Sequence, residues 1–171
     1  SVATGFAIAE KLNGKNRRVF GLVGDGESEE GQVYEMMHFA NKYKLDNYTL
    51  FVDYNEVQLT DSLEKIMPMN LKEIFKSAGW RVVETDGHDF GALWGALDIA
   101  YHSDKPTVII GKTVMGKGVS FMEPDGLARK STWHGIPPKP EQAETELKGP
   151  LKMTDDEVAE LNAFRKLVKW H

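Results

Sequence analysis

Four short stretches rich in β-branched or aromatic residues punctuate the chain: Arg18-Val-Phe-Gly-Leu-Val23, Tyr48-Thr-Leu-Phe-Val-Asp53, Trp80-Arg-Val-Val-Glu84 and Pro106-Thr-Val-Ile-Ile110. Each reads as a strand, and their apolar character on both alternations suits strands covered on two faces. Between them the apolar positions change to helical spacing. Phe6, Ala9 and Leu12 mark a helix over 2–12 that stops at Asn13-Gly14, and Val33, Met36, Met37 and Ala40 mark one over 29–43. A third helix is predicted over 71–77 and a fourth over 90–102, the latter behind Asp89, a competent N-cap. Strands alternating with helices of crossover length predict an α/β fold, a parallel sheet with helices on both faces.

The remaining chain carries less periodicity. An irregular segment is expected near 116–150, and Thr154-Asp-Asp-Glu157 forms a capping box ahead of Val158, Leu161, Phe164 and Leu167, predicting a docked C-terminal helix near 155–169. Only Ser1 precedes the first helix, so the chain is expected to begin just before or inside it. A length of 171 residues fits one domain spanning 1–171, long enough to bury roughly 70% of the surface of the unfolded chain.

Composition narrows the functional classes. With 41% hydrophobic and 27% charged residues the chain reads as globular rather than disordered. It has no cysteine, which excludes disulfides, thiolate metal sites and thiol nucleophiles, and a reducing cytoplasmic setting is expected. Apolar runs such as Thr107-Val-Ile-Ile-Gly111 are far too short to span a bilayer, so no membrane partner is expected. A formal charge of −5, with lysines dispersed among acids, argues against a nucleic-acid partner.

The candidate chemistry lies at strand ends. The first predicted strand runs into Gly24-Asp25-Gly26-Glu27 and then a helix, placing backbone N–H groups and a carboxylate where a phosphate can bind. Glycine permits close approach of an anion, and Asp25 can hold the hard cation that neutralises it. Alone, Asp-Gly is as readily an ordinary turn. The second strand ends at Val52-Asp-Tyr-Asn55, one β-α-β unit further on. If that crossover joins neighbouring strands, Asp25 and Asn55 can reach the same ion, with a main-chain carbonyl just beyond as a third oxygen donor.

With Asn55 at this distance, Gly24-Asp-Gly26 matches the thiamine-diphosphate motif. The patches Leu22-Val-Gly-Asp-Gly-Glu-Ser-Glu-Glu-Gly31, Tyr43-Lys-Leu-Asp-Asn47, Asp86-Gly-His-Asp89 and Trp133-His-Gly135 resemble, in order, the N-terminal, diphosphate-binding domain of transketolase or the corresponding split subunit. The resemblance covers most of 1–136 and begins after the family's upstream substrate histidines. It implies thiamine diphosphate and Mg²⁺ as cofactors, with Asp25, the Asn55 side chain and the Val57 carbonyl on the metal. Gly24 and Gly26 would bind the cofactor through the glycine turn, the Gly26 amide touching the diphosphate. His134 would lie near the diphosphate and the sugar, and Glu30 would join a proton network at the interface between two active sites. Without the resemblance, Glu30 is a first-turn acid favoured by the helix dipole, and His134 and His88 are loop histidines. Met115 stands where family members often carry a lysine near the cofactor. Whether Lys117 or Lys112 substitutes is left open.

The activity implied is transfer of a two-carbon ketol unit between sugar phosphates, as in the pentose phosphate pathway, with the cofactor as electron sink. The glutamate that activates the aminopyrimidine belongs to the family's pyrimidine-binding domain, for which the chain has no room. The isolated chain is therefore expected to be inactive without a pyrimidine-binding domain or subunit, the family's missing N-terminal segment, or both, in a homo- or hetero-oligomer. Alternatives are a non-catalytic remnant or interaction domain of the same fold, or a related thiamine-diphosphate synthase. A nicotinamide-binding domain ranks lower, because Glu29 stands where the third glycine of that fingerprint belongs.

Overall fold

A computed structural model describes residues 1–15 and 17–167. Its centre is a 4-stranded sheet in the order β1-β2-β4-β3, formed by β1 (Val19–Gly24), β2 (Tyr48–Tyr54), β3 (Arg81–Asp86) and β4 (Thr107–Lys112). Every neighbouring pair is parallel. The ladder runs one or two residues beyond the apolar stretches at their carboxyl ends, because backbone pairing does not stop where the side chains turn polar. The β4 strand pairs with both β2 and β3, an insertion that local sequence pattern does not encode.

One face carries the main core. There α1 (Val2–Leu12), α2 (Gly31–Lys42) and α4 (Leu71–Ser77) pack Ala7, Met37 and Phe75 against Leu50, Val52, Val108 and Ile110. The opposite face is covered by α5 (Phe90–Tyr101), whose Ala96 and Ala100 meet Ile109, with Phe51 and Val83 beside them. Alternate residues of β2 and β4 thus enter different cores, as a period of two requires. Coverage of that second face is incomplete: Phe20 and Leu22 on β1 are 55% and 73% exposed.

Asp89 caps α5 as expected, its side chain accepting from the Ala92 amide. The helix predicted from residue 29 starts later. Residues Glu27–Glu29 form a 3-10 turn, and Glu30 is extended as the N-cap of α2. A one-turn helix α3 (Leu63–Ile66) follows the second strand. Within the stretch expected to be irregular stand α6 (Glu123–Leu127) and α7 (Pro140–Lys148), each with proline in its first turn. The last helix, α8 (Asp155–Leu167), has its capping box, Glu157 N–H to Thr154 Oγ1 at 3.3 Å and Thr154 N–H to Glu157 Oε2 at 2.7 Å. It is not docked: none of its residues is buried, and Phe164 is 59% exposed. Its apolar stripe meets no opposing face within the described residues, and predicted positions 168–169 lie outside them.

Candidate functional site

The β1–β2 pairing sets the site. Gly24 is in register with Asp53, and the Asp25 amide continues the ladder by donating to the Asp53 carbonyl at 3.1 Å. The two carboxyl ends, and the turns that leave them, are therefore side by side.

The turn after β1 is braced from within. Glu27 Oε2 accepts the Gly24 amide at 2.7 Å, and the buried Ser28 hydroxyl donates back to the Gly24 carbonyl at 3.0 Å. Gly26 has right-handed helical angles, φ −63 and ψ −38, so glycine is not required there for its backbone conformation. What it provides is room, since a Cβ would point to Gln58 Cγ at 3.5 Å and take up cleft space. Gln58 in turn donates to Glu29.

Asp25 is the buried acid of the site, 3% exposed. Its Oδ1 accepts the Gly26 amide at 2.7 Å and its Oδ2 the Glu56 amide at 2.6 Å. Burial pushes its carboxyl above the usual 3.8; the two backbone hydrogen bonds oppose that shift, while the Asp53 and Glu56 carboxylates add to it. Asn55 leaves β2 in an Asx turn, its Oδ1 accepting the Val57 amide at 2.9 Å.

These residues open onto a cleft of about 640 Å³ lined by Leu22, Gly24, Asp25, Gly26, Asn55, Val57, Gln58 and His134, among others. Six candidate positions from the sequence, Gly24, Asp25, Gly26, Asn55, Val57 and His134, are thus brought together. Glu30 sits at the start of α2 and does not line the cleft. His88 lies elsewhere, its Nε2 accepting the Val114 amide at 2.8 Å beside Lys112 and Lys117. Sequence reasoning missed Gln58 and Leu59 on the cleft wall and Glu56, whose amide Asp25 accepts; their only sequence signal is position, just past Asn55.

The donor set suits a hard cation with phosphate oxygens. Among the described residues no group of three or more His, Asp or Glu side chains is placed to hold a metal ion. One carboxylate, one side-chain amide and main-chain carbonyls leave coordination positions for a ligand's own oxygens, which is how Mg²⁺ is commonly held with diphosphates. A cation would also relieve the repulsion that Asp25 feels from Asp53 and Glu56. No helix among the described residues is long and apolar enough to cross a membrane.

A parallel α/β sheet with an acid–glycine turn and a polar cleft at the carboxyl ends of its strands defines the class: a domain built to bind a phosphorylated ligand at the sheet edge. Residues 4–152 match the family profile described as "Transketolase, thiamine diphosphate binding domain", and the chain belongs to the transketolase family. It is 36% identical over 146 residues to one subunit of the apulose-4-phosphate transketolase of Phocaeicola vulgatus, covering 84% of this chain and 50% of that protein. Against human transketolase it is 37% identical over 137 residues, 79% of this chain and 21% of that one. The crystal structure of transketolase from Campylobacter jejuni superposes with a TM-score of 0.68 at 33% identity, covering 74% of this chain and 21% of that one. The chain therefore spans about half the length of the Phocaeicola relative and about a fifth of the human transketolase.

Proposed function

We propose that this chain supplies the diphosphate- and Mg²⁺-binding half of a transketolase active site, serving transfer of a two-carbon ketol unit between sugar phosphates. The observation that carries the reading is the meeting of Asp25, Gly26, Asn55, Val57 and His134 in one cleft. Asp25, the Asn55 side chain and the Val57 carbonyl hold the cation. The Gly26 amide, within a turn fixed by Glu27 and Ser28, turns to a diphosphate oxygen, and Gly24 keeps the strand end close to it. His134, across the cleft, donates to the diphosphate or to a sugar hydroxyl. Thiamine diphosphate, when bound, supplies the electron sink for cleaving the carbon–carbon bond beside the ketose carbonyl.

The chain's own residues bind and orient, and a pyrimidine-binding subunit completes the site with the carboxylate that activates the aminopyrimidine. The Phocaeicola relative is by name a subunit of its transketolase, which supports a two-subunit arrangement. Glu30, at the start of α2 and outside the cleft, is available to such a partner as part of a proton network.

Calorimetric titration with thiamine diphosphate tests the reading in the presence of a pyrimidine-binding transketolase subunit. Mg²⁺-dependent binding and ketol transfer by the mixture are expected, with no transfer by this chain alone. Binding that ignores Mg²⁺, or turnover by the isolated chain, would count against it.

A further inference from the structure

Among the described residues three non-glycine positions have positive φ: Lys44, Glu56 and Arg129, at 48°, 61° and 53°. Two of these are the partners of a single ion pair, Arg129 Nη2 to Glu56 Oε2 at 2.6 Å. Left-handed backbone is uncommon for such side chains and persists where surrounding contacts over-determine it. The pair is partly exposed, and pairs of that kind add little to global stability. Its position is what matters.

Glu56 directly follows Asn55, and its amide is the one received by Asp25 Oδ2. Arg129 lies just past α6, at the start of the α6–α7 loop that also carries His134. The same two loops are tied a second time, where the Ser131 hydroxyl donates to the Thr60 carbonyl at 3.2 Å, and the His134 amide donates to the Ser131 carbonyl at 3.0 Å. A continuous set of contacts thus runs from the buried acid, through Glu56 and Arg129, to the loop bearing the histidine.

We propose that Arg129 is a positioning residue: by holding the Glu56 carboxylate it keeps the Glu56 amide on Asp25 and the His134 loop against the cation-binding turn, so both lips of the cleft are set before a diphosphate arrives. The inference rests on the functional reading above. It identifies what fixes the spacing between the metal side and the histidine side of that site, a role best filled by a rigid, always-charged guanidinium.

The test compares the wild-type chain with Arg129→Ala, Arg129→Lys and the reversed pair Glu56→Arg/Arg129→Glu. Amide hydrogen exchange is read without ligand, and Mg²⁺ with inorganic pyrophosphate is then titrated in. Arg129→Ala is expected to raise exchange at the Glu56 amide by about tenfold or more while the amides of β2 and β4 keep their protection. The His134 ring resonances should move as well. It should also weaken Mg²⁺-pyrophosphate binding by about 10- to 100-fold, the usual loss when a residue supporting metal ligands is removed. Arg129→Lys should restore part of both effects, and the reversed pair more.

Unchanged exchange at Glu56 and unmoved His134 resonances in Arg129→Ala would overturn the inference, whatever the ligand does. Loss of β2 and β4 protection in the same variant would also overturn it, since the role would then be general stability. If the exchange changes appear but no protein, wild type included, responds to Mg²⁺ and pyrophosphate, the clamp stands and the functional reading falls.

Discussion

The Gly26 amide donates to Oδ1 of the adjacent Asp25 at 2.7 Å, so the N–H proposed to meet a diphosphate is satisfied by the carboxylate proposed to meet its cation. If the site is loaded as proposed, that internal hydrogen bond would give way to one from Gly26 to a phosphate oxygen, and the Asp25 carboxylate would be freed for the cation. A cation there would offset what holds the Asp25 carboxyl above 3.8, chiefly burial and then the Asp53 and Glu56 carboxylates, which the Gly26 and Glu56 amides only partly oppose. For a carboxyl raised on folding, the protonated form is the one that folding favours. Its ionised form therefore costs stability at neutral pH, and that cost is relieved as pH falls through the folded-state pKa. Carboxyl-carbon NMR should find Asp25 titrating above 3.8, and Mg²⁺ with pyrophosphate should move the midpoint down. Asp25→Asn should weaken Mg²⁺-dependent binding on the order of 100-fold, because the only charged ligand in the proposed set is lost.

Glu146 on α7 is 5% exposed and accepts both hydrogen bonds that Ser120 can donate, from its amide at 2.6 Å and from its hydroxyl at 2.7 Å. This fastens α7 to the segment leading into α6. Glu146→Ala removes the acceptor of both, and because Ser120 is itself exposed and water can take its place, the expected loss is about 0.5–1.5 kcal/mol. Glu146→Gln, which keeps an accepting oxygen, should lose less. A urea midpoint that falls with unchanged slope would match this expectation; equal losses for the two variants would contradict it.

Where the chain has strong local periodicity, the structure follows it closely. Val108, Ile109 and Ile110 read as a covered strand and are buried, Val82 and Val83 read as a strand that proves only half-buried at the sheet edge, and Asp89 marks the start of α5 by its capping geometry. The helices α6 and α7 escaped such reading because they bury almost nothing apolar. Only Gly126 is buried in α6 and only Glu146 in α7, so their signal is proline in the first turn rather than an apolar stripe. For α8 the stripe misled, since period alone cannot say whether a face opposite exists. At the site, Gly24, Asp25, Gly26 and Asn55 were legible because neighbouring parallel strands must end together. The Glu56–Arg129 pair was not, because it joins distant loops through two left-handed residues that no propensity favours.

Two glycines should respond oppositely to alanine. A Cβ on the buried Gly126 would lie 2.1 Å from the Met115 carbonyl oxygen and 3.0 Å from Val114 Cγ1, and that backbone, anchored to β4, has little freedom to retreat. Gly126→Ala is expected to cost about 1–3 kcal/mol. Gly95, exposed inside α5, has nothing within 4 Å of a new Cβ. Gly95→Ala should stabilise by about 0.5–1 kcal/mol through lower backbone entropy in the unfolded chain. Thermal melts of the two variants beside wild type distinguish steric from conformational roles; destabilisation by both would refute the contrast.

Tyr48 lies in the main core, 3% exposed, with its ring edge-on to Trp80 at 5.7 Å and Trp80 edge-on to Phe75 at 5.3 Å. Burial pushes its phenol up from 10.0 to about 12. A phenol raised on folding is favoured in its neutral form. Its contribution is therefore fully present below pH 10.0 and is lost as pH climbs toward about 12. The loss is about 3 kcal/mol across that window. Tyr54 is shifted the same way, first by burial and then by Glu56 and Asp25, so the alkaline absorbance titration should show late-ionising tyrosines. Tyr48→Phe removes the ionisation while keeping the ring on Trp80. The variant's stability should fall less steeply than wild type's from neutral to strongly alkaline pH, and its absorbance titration should lose one late step. Parallel alkaline losses in the two proteins would mean that Tyr48 ionises in the folded state as freely as in the unfolded one.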